Sequence, residues 1–249
     1  MSYEIITVSW NPEQTRIWRH WVNKNCPTAK VYTIPDRKPF RRCWSGGKID
    51  CWLYGFEGKR VIYLDTDTIV TTDLEPVFDM MGDAKIAVSL ELKQDRLKRK
   101  FGPVVEQFRE RGPFRIHNPP NISSGMIALK DYDPELLYGM WADIMNDALF
   151  IEELMGHYTS EEYAIALAVA RMFRIKDVWP LPGHVHGNIH HGNKQFGGTK
   201  RPMVIHYHRP AWLVRHHLEE YLNVGDDNSI RRGQKVVSGV QPSDGTAAK

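Results

Sequence analysis

The sequence predicts an α/β fold with a Rossmann-like, mostly parallel central sheet flanked by helices. Three observations predict it. Apolar, β-branched runs alternate with helical patterns from the first residues onward. One run, from Lys59 to Leu64, is apolar on both faces, as a central strand must be. An acidic pair, Asp65 and Asp67, follows it directly, at the strand end where open α/β sheets bind their ligands.

Ile5 to Ser9 reads as the first buried strand. Asn11-Pro12-Glu13 supplies an N-cap and a proline at the first helical position. Ile17, Trp18, Trp21 and Val22 form one apolar stripe on the helix that follows, which Cys26-Pro27 ends. Lys30 to Ile34 is a second strand, closed by Pro35-Asp36, and Lys48 to Tyr54 a second helix. After the central strand, Lys85–Leu90 and Gly125–Leu129 read as strands, and Pro134–Met145 and Ser160–Arg171 as helices. Ser160-Glu161-Glu162 makes a good helix start, because acidic residues complement the partial positive charge there. Met203–Tyr207 is a late strand and Trp212–Tyr221 a closing helix.

Length and composition set the frame. The 249 residues are 42% apolar and 25% charged, ordinary for a globule with a large core. We expect one domain over residues 1–225 and a flexible polar tail over 226–249. With 33 Lys and Arg against 30 Asp and Glu, the net charge of +3 disfavours nucleic acid as a partner. The most apolar run, near Ala164 to Val169, is far short of a membrane span, and the N-terminus lacks a signal-peptide pattern. Three cysteines (Cys26, Cys43, Cys51) without a CxxC argue against a disulfide framework and for a reduced, cytoplasmic compartment.

Chemistry concentrates after the central strand. In extended chain, residues i and i+2 point the same way about 7 Å apart, so Asp65 and Asp67 can share a hard cation that also holds a diphosphate. From Asp65 to Asp83 there are six acidic residues and no Lys or Arg, which reads as an unpaired cluster beside a buried strand. Such a cluster is costly unless solvated or bound to a cation.

Val61 to Val70, followed by Asp73-Leu74, resembles the strand, DxD motif and exit of nucleotide-sugar glycosyltransferases of the GT-A fold. The resemblance is greatest to glycosyltransferase family 8, the glycogenin-like and galactosyltransferase-like group. It runs from about residue 3 to 215 and implies a GT-A fold over that span. Lys48, seventeen residues before Asp65, matches a lysine that contacts the sugar nucleotide. Ser124 to Leu129 resembles the strand lining the donor sugar, with Ser123 where the group commonly has Asn. Glu161 and Glu162 resemble an acidic-Gln pair near the transferred sugar. His206-Tyr207, followed by Pro210 and Trp212, resembles a late element whose His completes the metal shell, with Arg209 the nearby basic residue.

The resemblance thus implies Asp65, Asp67 and His206 as ligands of Mn2+ or Mg2+. Thr7, Val8, Ser9, Trp10 and Asn11, at the end of the first strand, are expected to receive base and ribose. Lys48, Thr66, Ser124 and Arg209 join the nucleotide contacts, and Ser123, Glu161 and Glu162 the reacting sugar. The expected activity is metal-dependent transfer of a hexose from a nucleoside diphosphate sugar, UDP-sugar favoured, to a hydroxyl of a glycan, protein or small molecule. Retention of anomeric configuration follows from the resemblance alone. Two other classes remain open: a non-catalytic sugar-nucleotide or glycan binder, and a sugar nucleotidyltransferase. The latter would want a Gly-rich, basic loop after the first strand, and Ser9-Trp10-Asn11-Pro12 is not one.

Two segments stand outside this scheme. Eight of the eleven histidines lie between His184 and His217, and the run His184 to His191 reads as a flexible loop beside the donor pocket. Its spacings fit no structural zinc pattern, although a transition-metal site is a rival reading. The insertion Glu91–Arg115 holds eight Lys and Arg against four Asp and Glu, and reads as a solvated helix, a lid or an acceptor surface.

Overall fold

The computed structural model describes residues 3–36, 47–90, 122–147, 160–190 and 193–208. These all fall within one compact unit, Met1–His208. Arg209, the basic insertion, the expected helix at Trp212–Tyr221, the tail and Cys43 lie outside the described residues.

The first strand, β1 (Glu4–Ser9), leads into α1 (Pro12–Asn25) and returns as β2 (Lys30–Pro35), parallel to β1. Asn11 caps α1 as its sequence implies, its side chain accepting from the backbone N–H groups of Glu13 and Gln14. Ile17, Trp18, Trp21 and Val22 are all buried on the inner face of α1. The predicted second helix is shorter than expected: α2 is Gly47–Asp50, continued by a 3-10 turn over Cys51–Leu53.

Next come β3 (Arg60–Leu64), β4 (Thr68–Val70), α3 (Glu75–Met80) and β5 (Ile86–Leu90). They are followed by β6 (Ile122–Lys130), α4 (Pro134–Asn146), α5 (Ser160–Met172) and β7 (Val178–Pro180). The chain then forms β8 (His186–His190), β9 (Asn193–Gln195) and β10 (Val204–His206). The main sheet has the order β2-β1-β3-β6-β5-β7. β6 alone runs against the others, pairing antiparallel with β3 and β5. A mostly parallel sheet is thus what the sequence folds into.

Period-two alternation divides the core in two. Ile6, Val8, Val61, Tyr63, Ile127 and Leu129 face Ile49, Trp52, Trp141 and the buried side of α5. Ile5, Ile62, Leu64, Met126 and Ala128 face Trp18, Val22, Val77 and Phe78. Each buried Val, Leu, Ile, Phe or Met among them contributes on the order of 2 kcal/mol.

A second sheet of order β4-β10-β8-β9 went unforeseen. It overturns the expectation of a flexible histidine loop, since His186–His190 is β8, paired parallel with β10 and antiparallel with β9. Burial is the physical reason. Val185 and His186 are 0% and 2% exposed, and hydrogen bonding in a ladder satisfies backbone that would otherwise be buried unpaired. Among the described residues, no helix is long and apolar enough to cross a membrane, and Cys26 and Cys51 are buried free thiols.

Candidate metal centre

Asp65 and Asp67 sit on the tight turn joining β3 to β4, where the chain passes from the main sheet to the smaller one. The Thr68 hydroxyl and amide both donate to the Asp65 carbonyl, at 2.6 and 3.2 Å. Asp65 N–H donates to Gly125 O and Tyr207 N–H to Asp67 O, so backbone bonds pin both residues. The extended spacing expected from sequence is therefore corrected: the turn draws the pair together. One ligand atom each from Asp65, Asp67 and His206 lie within 4.8 Å of one another.

His206 ends β10 and turns its Nε2 to both carboxylates, 3.1 Å from Asp67 Oδ1 and 3.8 Å from Asp65 Oδ2. Gly125 makes this possible. A Cβ on Gly125 would lie 2.2 Å from His206 Cε1 and 2.3 Å from Nδ1, so the ring occupies the space a side chain would take. Nδ1 is buried and finds no hydrogen-bond partner among the described residues, while Nε2 meets the carboxylates. Two carboxylates and an imidazole nitrogen, held this close, fit a divalent cation such as Mn2+ or Mg2+.

Lys48 completes a second layer. Its Nζ donates to Asp65 Oδ2 at 2.9 Å and to Ser124 Oγ at 2.8 Å, and lies 3.7 Å from Glu161 Oε1. Glu162 Oε1 accepts from Ser124 N–H at 3.3 Å. Five of the site residues expected from sequence therefore meet: Lys48, Asp65, Ser124, Glu161 and Glu162. Burial opposes the Lys48 charge most strongly, but Asp65, Glu161 and Glu162 together outweigh it and raise its pKa above the ordinary lysine value. This corrects the picture of an unpaired acidic cluster. Asp65 is matched by Lys48, and Asp73 is spent elsewhere, accepting from Tyr3 OH and the Glu75 amide at the start of α3.

The other expected residues are placed as follows. Thr7 donates its hydroxyl to Leu64 O, Ser9 bonds Thr15, and Asn11 caps α1, so these polar side chains serve the fold. Val8 is buried, and Trp10 packs half-buried against the core. Thr66 is buried in the turn. Ser123 is buried, and its hydroxyl finds no partner among the described residues. Sequence reasoning missed Tyr63, whose hydroxyl donates to Asp65 Oδ1, and Gly125; it also missed His208, stacked 3.7 Å from His206. Two signals existed: Tyr63 is i−2 to Asp65, and an isolated glycine inside an apolar strand marks close approach.

Without metal, Asp67 and His206 form an ion pair. Burial opposes both charges, but each partner holds the other ionised: the Asp67 carboxyl lies well below its usual range and the His206 imidazolium above its own. Two consequences follow for stability. The Asp67 contribution is present above the ordinary carboxylate pKa and disappears as pH falls through the lowered value. The His206 contribution is present below the ordinary histidine pKa of about 6.5 and disappears as pH rises through the raised value. A cation at Nε2 must displace that proton. We expect Mn2+ binding to release about one proton and to strengthen as pH rises through the His206 pKa. Calorimetry in buffers of different ionisation enthalpy checks this; binding without proton release would refute the ion pair.

No family model matches the chain, and no curated protein matches it. Solved structures do. The galactosyltransferase LgtC, with donor and acceptor sugar analogues, superposes with a TM-score of 0.54 at 13% identity, over 98% of this chain and 98% of its own. Mouse xyloside xylosyltransferase 1 gives 0.52 at 12%, over 83% of this chain and 98% of its own. GlyE of Streptococcus pneumoniae TIGR4 gives 0.52 at 14%, over 100% of this chain and 67% of its own. At such identities the likeness is one of architecture, and that architecture is the GT-A fold of the glycosyltransferases.

Proposed function

We propose that this chain is a metal-dependent glycosyltransferase that moves a hexose from a nucleoside diphosphate sugar, UDP-sugar favoured, to an acceptor hydroxyl, with retention of configuration as its resemblance to family 8 implies. The observation that carries this reading is the convergence of Asp65, Asp67 and His206 at the carboxyl end of β3 in a GT-A fold. Asp65, Asp67 and His206 would hold Mn2+ or Mg2+, which when bound supplies positive charge to the diphosphate leaving group.

This chain's own residues do the rest. Lys48 holds a permanent positive charge beside Asp65, in a buried site where charge stabilisation is strongest. Ser124 fixes Lys48 from β6, and Glu161 anchors it from α5. In this reading Glu161 and Glu162, at the start of α5, lie near the transferred sugar, as their resemblance to an acidic-Gln pair implies. The end of β1, from Thr7 to Asn11, receives base and ribose in this reading, chiefly through backbone because its polar side chains are engaged.

Thermal unfolding with UDP, GDP and their hexose conjugates, with and without Mn2+, tests the reading. We expect a shift that needs both the metal and one nucleotide, by mass action on the folded state. Asp65→Ala/Asp67→Ala should lose it. Release of free hexose from the donor then separates an enzyme from a binder. An unchanged melting temperature with every nucleotide and metal would sink the proposal.

A further inference from the structure

A histidine that ligates through one ring nitrogen is ordinarily oriented through the other, whose N–H donates to a carboxylate, carbonyl or water. His206 has no such partner among the described residues for its buried Nδ1. His186 on β8 lies 5.4 Å away, ring to ring, but its Nδ1 is taken by the Ser89 hydroxyl, and its Nε2 is likewise without a partner there.

His208 meets the ring instead. The two imidazoles are stacked, with centroids 3.7 Å apart and planes 28° from parallel. Had β10 run on, side chains two residues apart would stand about 7 Å from one another. The strand ends at His206, and His208 takes φ of 55°, in the left-handed region that residues other than glycine seldom enter. That turn folds the His208 side chain back onto the ring of His206. Bonds on either side hold it there. Tyr207 N–H donates to Asp67 O at 3.0 Å, and His208 Nε2 lies 3.2 Å from Asn188 Oδ1 on β8. Rotation of the His206 ring about its Cβ–Cγ bond would drive ring atoms into His208. Backbone conformations of this kind persist where the surroundings enforce them, and they cluster at functional sites.

We propose that His208 is a positioning residue: stacked on His206, it holds that ring in the orientation that aims Nε2 at Asp65 and Asp67. The inference rests on the metal-binding reading of Asp65, Asp67 and His206. It gives His208 a role through the face of its ring, separate from ligation.

His208→Gly removes the ring and leaves a residue that adopts positive φ freely. His208→Phe keeps a flat ring and removes both nitrogens. Mn2+ binding to the wild-type chain and to each variant is measured by titration calorimetry, and urea melts of the metal-free chains show that each is folded. We expect Mn2+ affinity to fall at least about tenfold in His208→Gly, as for other lost outer-shell partners, and to stay within about threefold of wild type in His208→Phe. A smaller loss in the Gly variant overturns the proposal, because the stack would then not be needed. A larger loss in a folded Phe variant overturns it too, because the nitrogens and not the ring face would then matter. His208→Tyr repeats the rescue should the Phe variant fail to fold. A wild-type chain that does not bind Mn2+ overturns the metal reading itself, a different failure from a variant that binds as the parent does.

Discussion

Gly125→Ala is expected to abolish tight Mn2+ binding while leaving the fold largely intact. The added Cβ would sit 2.2 Å from His206 Cε1, well inside contact distance, so the imidazole must leave its place beside Asp67. Overpacking of this kind costs about 1–3 kcal/mol, part of which a glycine-to-alanine change in a strand returns through chain entropy. Loss of a ring ligand reaches further, and we expect Mn2+ affinity to drop by about 100-fold or more, beyond what lost outer-shell partners cost. Gly139→Ala is the matched control. It lies in α4 with open space where its Cβ would be, and should stabilise slightly without touching the metal. Titration calorimetry and urea unfolding on the two variants give the comparison. Unaltered Mn2+ binding in Gly125→Ala would show that His206 has another way to reach the site.

Lys48→Met is expected to have the largest effect on stability. The side chains of Lys48, Asp65 and Glu161 are 7%, 13% and 6% exposed, so removing the ammonium strands two carboxylates out of water. Breaking a buried pair in this way costs about 3–5 kcal/mol. The loss should be partly reversed by saturating Mn2+, because a divalent cation on Asp65 replaces the missing positive charge and binds only the folded chain. Denaturant melts with and without the ion show both halves of the effect. A metal-free variant as stable as the parent would mean that water, not Lys48, neutralises these carboxylates.

What was legible in the sequence was local. β1, α1, β2 and β3 announce themselves by alternation, by the Asn11 cap and by the tryptophan stripe, because short-range sterics and burial dictate them. The acidic pair was visible for the same reason, at the end of a strand with no polar face. The smaller sheet was not. Of its strands only β10 was read, within Met203–Tyr207; a three-residue strand such as β4 carries no periodicity, and the pairing of β4 with β10 joins residues more than a hundred apart. The histidine run looked mobile because Gly183, Gly187 and Gly192 punctuate it. In fact Gly187 is where Phe196 and Pro202 pack onto the chain, each within 2.6 Å of the place a Cβ would take. Charge counting along the chain also misled, since Asp65 and Asp73 find partners in Lys48 and Tyr3 that only the tertiary structure supplies. Lys48 was readable from resemblance as a nucleotide contact but not as the partner of Asp65, and Tyr63 was missed altogether, so the two bonds that hold this carboxylate came only from the structure.

The pairing of β10 with β4 carries a consequence for how the protein matures. His206 stands opposite Thr68, so its last ligand reaches the centre only after a loop of about 140 residues has closed. Contacts of that sequence separation form slowly and late. A nascent chain that has built only β1 to β3 therefore presents Asp65 beside Lys48, but no imidazole. On the metal reading proposed above, cation affinity would appear only when the far end of the domain docks, which would make a bound divalent cation a reporter of completed folding rather than a nucleus for it.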